Sequence, residues 1–169
     1  MKKYMFILVL CIGLLSFTTA RLTCTACPES IVITHRGQQK ITEDKIAGEG
    51  IVQKLGDKYS HTDMRVSNIR LTANSYLHWH SLPGGQLMIV TEGKGYYQSK
   101  GKEVIKIQKG DVIETTPGLY YWQGAAPDAD LEFISISTQK SDSLINWHEQ
   151  VSDKEYQAAI DVAGNSRDI

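Results

Sequence analysis

The segment His78-Trp79-His80-Ser81-Leu82-Pro83-Gly84-Gly85-Gln86-Leu87-Met88-Ile89-Val90-Thr91-Glu92-Gly93 places a Pro-Gly-Gly turn between a histidine-rich approach and an apolar run. Pro presets φ for the turn and the glycines accept positive φ, so a corner between two strands is expected here. His78 and His80 have the same parity and on one strand would share a face, with Trp79 on the other. If that face looks into a β-barrel, two imidazoles and the Gln86 amide address one interior volume. Such donors suit a divalent transition metal, but the set falls short of the three or four protein ligands these sites use. The plainer alternative is two polar residues on the rim of a sheet.

Outward from this corner, short apolar runs alternate with turn chemistry. Gly48 to Leu55 and Met64 to Leu71 read as strands, with His61 in an exposed loop between them. Gln86 to Thr91 reads as a strand, Glu92-Gly93-Lys94-Gly95 as a turn, and Tyr96-Tyr97-Gln98 as the strand resumed. A turn at Ser99-Lys100-Gly101-Lys102 leads to Val104–Ile107, and further strands follow at Val112–Glu114, Tyr120–Gly124 and Leu131–Ser137. No long helical period interrupts the series, which predicts an all-β antiparallel barrel or sandwich. The tail differs. Ser152-Asp153-Lys154-Glu155 is a capping box that opens a short helix running towards Gly164. Trp147 is expected to pack the tail on the barrel, and His148 to lie at the surface.

The 169 residues suffice for one well-buried core. Eighteen Lys and Arg nearly balance nineteen Asp and Glu, so no broad basic field points to nucleic acid or an anionic membrane surface. Residues 1–20 have the basic start, apolar middle and small closing residues of a secretory signal peptide, with an uncleaved anchor as the rival reading. An exported protein, periplasmic or extracellular, is the expectation. Cleavage after Ala20 leaves Cys24 and Cys27. A local disulfide or free thiols is the preferred reading of this CxxC, ahead of a redox or metal motif and of lipoprotein anchoring at Cys24 or Cys27. Residues 21–47 form an N-terminal leader with room for an edge strand, 48–140 the domain, and 141–169 the tail with its helix.

Taken together, Trp79-His80-Ser81-Leu82-Pro83-Gly84-Gly85-Gln86, Val90-Thr91-Glu92-Gly93-Lys94-Gly95-Tyr96, Lys109-Gly110-Asp111-Val112, Pro117-Gly118 and Gly124-Ala125-Ala126-Pro127 resemble the cupin superfamily. The resemblance is strongest to small single-domain bacterial cupins that include manganese-dependent hydroxynitrile lyases. It implies a double-stranded jelly roll and, by analogy, a homodimer. Metal-binding members carry a Trp-His-x-His-Pro-x-Gly-Gln type motif and a second motif with a His three residues after its Pro-Gly. Placed on that pattern, His80 takes the first ligand position, Leu82 the second, Gln86 the third and Tyr121 the fourth. Gln123 and Phe133 stand where relatives often have further pocket histidines. The implied metal site is therefore degenerate.

Fold alone does not fix function. The first expectation is a barrel that binds a small organic molecule without a metal cofactor, lined by Gln86, Leu82, Met88, Gln123 and Phe133. If catalytic, it would be a lyase or isomerase with His80 as acid or base and Tyr121 donating to a developing oxyanion. The alternative is a Mn, Fe or Zn enzyme, a lyase or oxygenase of the hydroxynitrile-lyase type, holding its metal through His78, His80, Gln86 and Tyr121.

Overall fold

A computed structural model describes residues 37–55, 63–138 and 145–165. The N-terminal 36 residues, with the expected signal peptide, Cys24 and Cys27, lie outside the described residues, as does His61. In chain order the strands are β1 (Gln39–Lys40), β2 (Ile46–Ala47), β3 (Gly50–Lys54), β4 (Met64–Leu71), β5 (Tyr76–Leu77), β6 (His80–Ser81) and β7 (Gln86–Ser99). They continue with β8 (Ile105–Gln108), β9 (Val112–Thr115), β10 (Tyr121–Ala125), β11 (Leu131–Thr138) and β12 (Asn146–Trp147), and one helix, α1 (Asp153–Asn165), closes the series. Every strand pair is antiparallel. The result is a two-sheet jelly roll with a short C-terminal helix.

One sheet runs β1-β3-β4-β11-β7, with β9 on the far side of β7. The other runs β2-β5-β10-β7 with β8 beyond, while β6 pairs β10 and β12 pairs β6. β7 thus serves both sheets: Leu87 to Gly93 pairs with β11, and Gly95 to Ser99 pairs with β10. The turn expected at Glu92-Gly93-Lys94-Gly95 is not formed. Its glycines permit continuity with a bend instead. Gly93 has φ of 77° and a β-carbon there would stand 1.8 Å from the Asp130 carbonyl oxygen, while one on Gly95 would stand 2.1 Å from that of Gly124. Glycine is needed at this corner for close backbone approach and for positive φ, and the register with β11 shifts between Glu132 and Phe133.

The barrel interior is filled by Leu71, Met88, Val90, Leu131, Phe133 and their neighbours. Along β4 the side chains of one parity, Leu71 and Ser67, are buried, and on β11 Leu131, Phe133 and Ser135 are buried likewise. A second cluster of Tyr76, Trp79, Trp122, Val151, Tyr156 and Ala159 joins α1 to the outer face of the other sheet. The capping box forms as expected. Glu155 N–H donates to Ser152 Oγ at 3.2 Å and Ser152 N–H to a Glu155 carboxylate oxygen at 2.8 Å. Tyr76 Oη donates to Asp153 at 2.6 Å and pins the first turn. Among the described residues no helix is long and apolar enough to cross a membrane.

Candidate functional site

The Pro-Gly-Gly corner is built on the Leu82 carbonyl, which accepts N–H bonds from Gly85 at 3.0 Å and Gly118 at 2.9 Å. Those bonds join the two motif turns and bring the start of β10 against β6. Tyr121 is the cross-strand partner of His80, and their ring centroids lie 4.4 Å apart. On the other side of the His80 ring stands Trp147, 5.0 Å away, carried there by β12.

His78 does not share the His80 face. The strand is interrupted at His78–Trp79, because the His78 N–H donates to the Lys45 carbonyl and the Trp79 N–H to that of Glu149. Parity counts only along unbroken strand. Across the break, the His78 ring meets Tyr76 edge-on with centroids 6.5 Å apart, and its buried Nδ1 has no hydrogen-bond partner among the described residues. Burial holds the His78 imidazole below its ordinary pKa against the raising pull of Asp44. His78 therefore does not converge with His80, Gln86 and Tyr121 as a fourth donor.

A cavity of about 330 Å³ opens inside the first sheet, at the small end of the range for small-molecule sites. Of the residues singled out in the sequence, His80, Leu82, Gln86 and Gln123 line it. Tyr121, Met88 and Phe133 do not. They are fully buried in the packed core, and Tyr121 reaches the site through its contacts with Gln86 and His80. Trp147, expected merely to hold the tail, forms part of the wall, and so do Ile69, Leu77, Ser135 and Arg65. The serines and Arg65 were missed by the sequence reading, although the alternation along β4 and β11 carries the signal: Arg65, Ser67, Ile69 and Leu71 share one parity, as do Ser137, Ser135, Phe133 and Leu131. His148, expected at the surface, is half-buried; its Nε2 lies 2.9 Å from Ser81 Oγ and its ring stacks on Tyr120 at 3.8 Å.

Each polar group has a definite state. His80 Nδ1 lies 2.7 Å from the His78 carbonyl oxygen. A carbonyl only accepts, so Nδ1 carries the proton and Nε2 keeps the lone pair of the neutral ring. Burial pulls the imidazole down to about 4, and neutrality near pH 7 follows. Tyr121 Oη donates to Gln86 Oε1 at 2.5 Å, and Gln86 Nε2 donates to Ser135 Oγ at 2.6 Å. Burial, with the stacked Tyr97 adding to it, raises the Tyr121 phenol well above its usual range and opposes a phenolate. Gln123, almost wholly buried, leaves its Oε1 without a partner among the described residues.

This arrangement does not fit a transition-metal centre on the four residues. Leu82 offers no donor, Gln86 and Tyr121 spend theirs on one another, and His78 faces away. Among the described residues no three His, Cys, Asp or Glu side chains come together as a metal site.

No protein-family model matches the chain. A cupin-like protein from Thermotoga maritima is 39% identical, with a TM-score of 0.69 over 76% of this chain and 97% of its own. The chain belongs to the cupin family. The cupin also superposes on a polyketide cyclase from Streptomyces resistomycificus, with a TM-score of 0.61 over 76% of this chain and 92% of the other at 16% identity, a likeness of fold alone. An (R)-mandelonitrile lyase from Granulicella tundricola is 38% identical to the cupin over 78 residues, 46% of this chain. That match spans 60% of the lyase's length.

Proposed function

We propose that this cupin binds a small hydroxyl-bearing organic molecule inside its barrel and that, if it turns the molecule over, it does so as a lyase without a tightly held metal. The observation that carries the reading is a buried acceptor without a partner among the described residues, Gln123 Oε1, in a cavity that the neutral His80 ring also lines. Buried acceptors without partners cost free energy, which a ligand hydroxyl would relieve. For a lyase the likeness to the (R)-mandelonitrile lyase supplies the support. His80 Nε2 would take the hydroxyl proton while the bond from the carbinol carbon to its leaving group breaks, giving a carbonyl. Because the imidazole is held neutral, it serves as proton acceptor from the start, not as donor. Export by the N-terminal segment is part of the proposal and is tested by locating the mature protein in cell fractions.

The deciding experiment combines metal analysis of protein purified without chelator with a mandelonitrile cleavage assay and thermal shift. Ligand stabilisation or turnover that persists in EDTA and is lost in His80→Gln is the expected result. Stoichiometric metal that disappears in the same variant would overturn the metal-free reading in favour of Mn, Fe or Zn.

A further inference from the structure

The cavity has an electrostatic gradient. Read outward along the inward-facing residues of β4, Leu71 and Ile69 give way to Ser67 and then Arg65; on β11, Leu131 and Phe133 give way to Ser135 and Ser137. On β3, Val52 is followed by Lys54, which lies beside Ser67 in the register, and Lys45 adds a third cation to the wall. No carboxylate lines the space. Lys40 at the rim reaches Glu49 at 3.9 Å and Lys45 feels the neighbouring Asp44 carboxylate, whereas Lys54 and Arg65 have no ion-pair partner among the described residues. Arg65 is half-buried, and its guanidinium feels desolvation alone. A sheltered cation without a counter-charge is costly, and a planar guanidinium is shaped to take a carboxylate through two parallel hydrogen bonds. The inner end asks for the opposite polarity. His80 Nε2 and Gln123 Oε1 are acceptors and want a donor.

We propose that the ligand is a hydroxy-carboxylate, its carboxylate met at the mouth by Arg65 with Lys45 and Lys54, and its hydroxyl donated inward to His80 and Gln123. The inference rests on the barrel being a small-molecule site and adds the charge of the molecule that fills it. Neutral cyanohydrins and simple alcohols satisfy the inner end and leave the outer cations unmet.

The test uses calorimetric titration of the full chain with two acids that space hydroxyl and carboxylate differently, mandelate and gluconate, against their uncharged counterparts mandelamide and glucitol. At least one acid is expected to bind tenfold or more tightly than its counterpart at low salt. Arg65→Gln should remove that preference, and 0.5 M NaCl should shrink it in the native protein. Equal binding of acid and uncharged compound, or a preference that survives both Arg65→Gln and salt, overturns the hydroxy-carboxylate while leaving the small-molecule site standing. Acid binding that is indifferent to His80→Gln and Arg65→Gln alike places the anion outside the barrel and also overturns it. Binding of neither kind of compound overturns this inference and the proposed function together.

Discussion

His80 is the residue on which the proposed chemistry turns, and its environment gives it a pH signature. Its pKa falls from an ordinary value near 6.5 to about 4 on folding because the charged ring is desolvated. Between these values the unfolded chain binds the proton and the folded one does not, so this contribution leaves stability intact above pH 6.5 and erodes it as pH falls towards 4. The full span corresponds to roughly 3 kcal/mol. Denaturant titrations of the native protein and of His80→Gln should therefore converge on acidification, the native protein losing about that much more between pH 7 and 4. Parallel curves would show that His80 is not buried neutral. Tyr121→Phe probes the neighbouring bond. It leaves Gln86 Oε1 buried without its donor, and chemical denaturation should register a loss of about 1–3 kcal/mol. Spacing made His80 and Gln86 legible as residues of one interior volume, and both line the cavity. Other positions were not legible, because the sequence shows neither where a strand breaks nor which buried polar groups already satisfy each other: His78 was paired with His80 by a parity that the chain abandons at Trp79.

At the scale of elements, β7 is the strand that the sequence divided and the structure joins. Gly93 and Gly95 look like turn residues in a linear reading because turns and close backbone approaches use the same property of glycine, and only the partner strand reveals which is meant. Strands β3, β4, β8, β9, β10 and β11 lie within a few residues of where alternation and turn chemistry put them, the short β5 and β6 on either side of His78-Trp79 are not announced by the sequence, and the capping box marks the helix start. Gly93→Ala offers a direct check. A β-carbon at positive φ and in collision with the Asp130 carbonyl should destabilise the domain by more than 2 kcal/mol, measured by urea denaturation, since strain and backbone displacement act together. Trp147 shows the converse difficulty. Its role in the wall depends on β12 pairing with β6, a contact between segments more than sixty residues apart that no local pattern announces.

At the scale of the whole molecule the proposed ligand would couple to stability, since a compound that binds only the folded barrel raises the unfolding free energy by mass action. At a ligand concentration one hundred times Kd the gain is about 2.7 kcal/mol, which for a chain of this size should raise Tm by roughly 5–11 °C. For a hydroxy-carboxylate that rise should diminish with added salt and be smaller in Arg65→Gln, whereas an uncharged ligand should give a salt-independent shift.

The bond row from Tyr121 through Gln86 to Ser135 spans the barrel from one sheet to the other. On its outer side is the cavity, and behind it are Met88, Phe133 and the ring of Tyr121, packed without room for a guest. For the proposed ligand the row would act as a depth gauge, setting how far the molecule slides inward and so selecting by length as well as by polarity. Shortening its central member in Gln86→Ala would lower that stop, and longer ligands that the native barrel refuses should then be admitted.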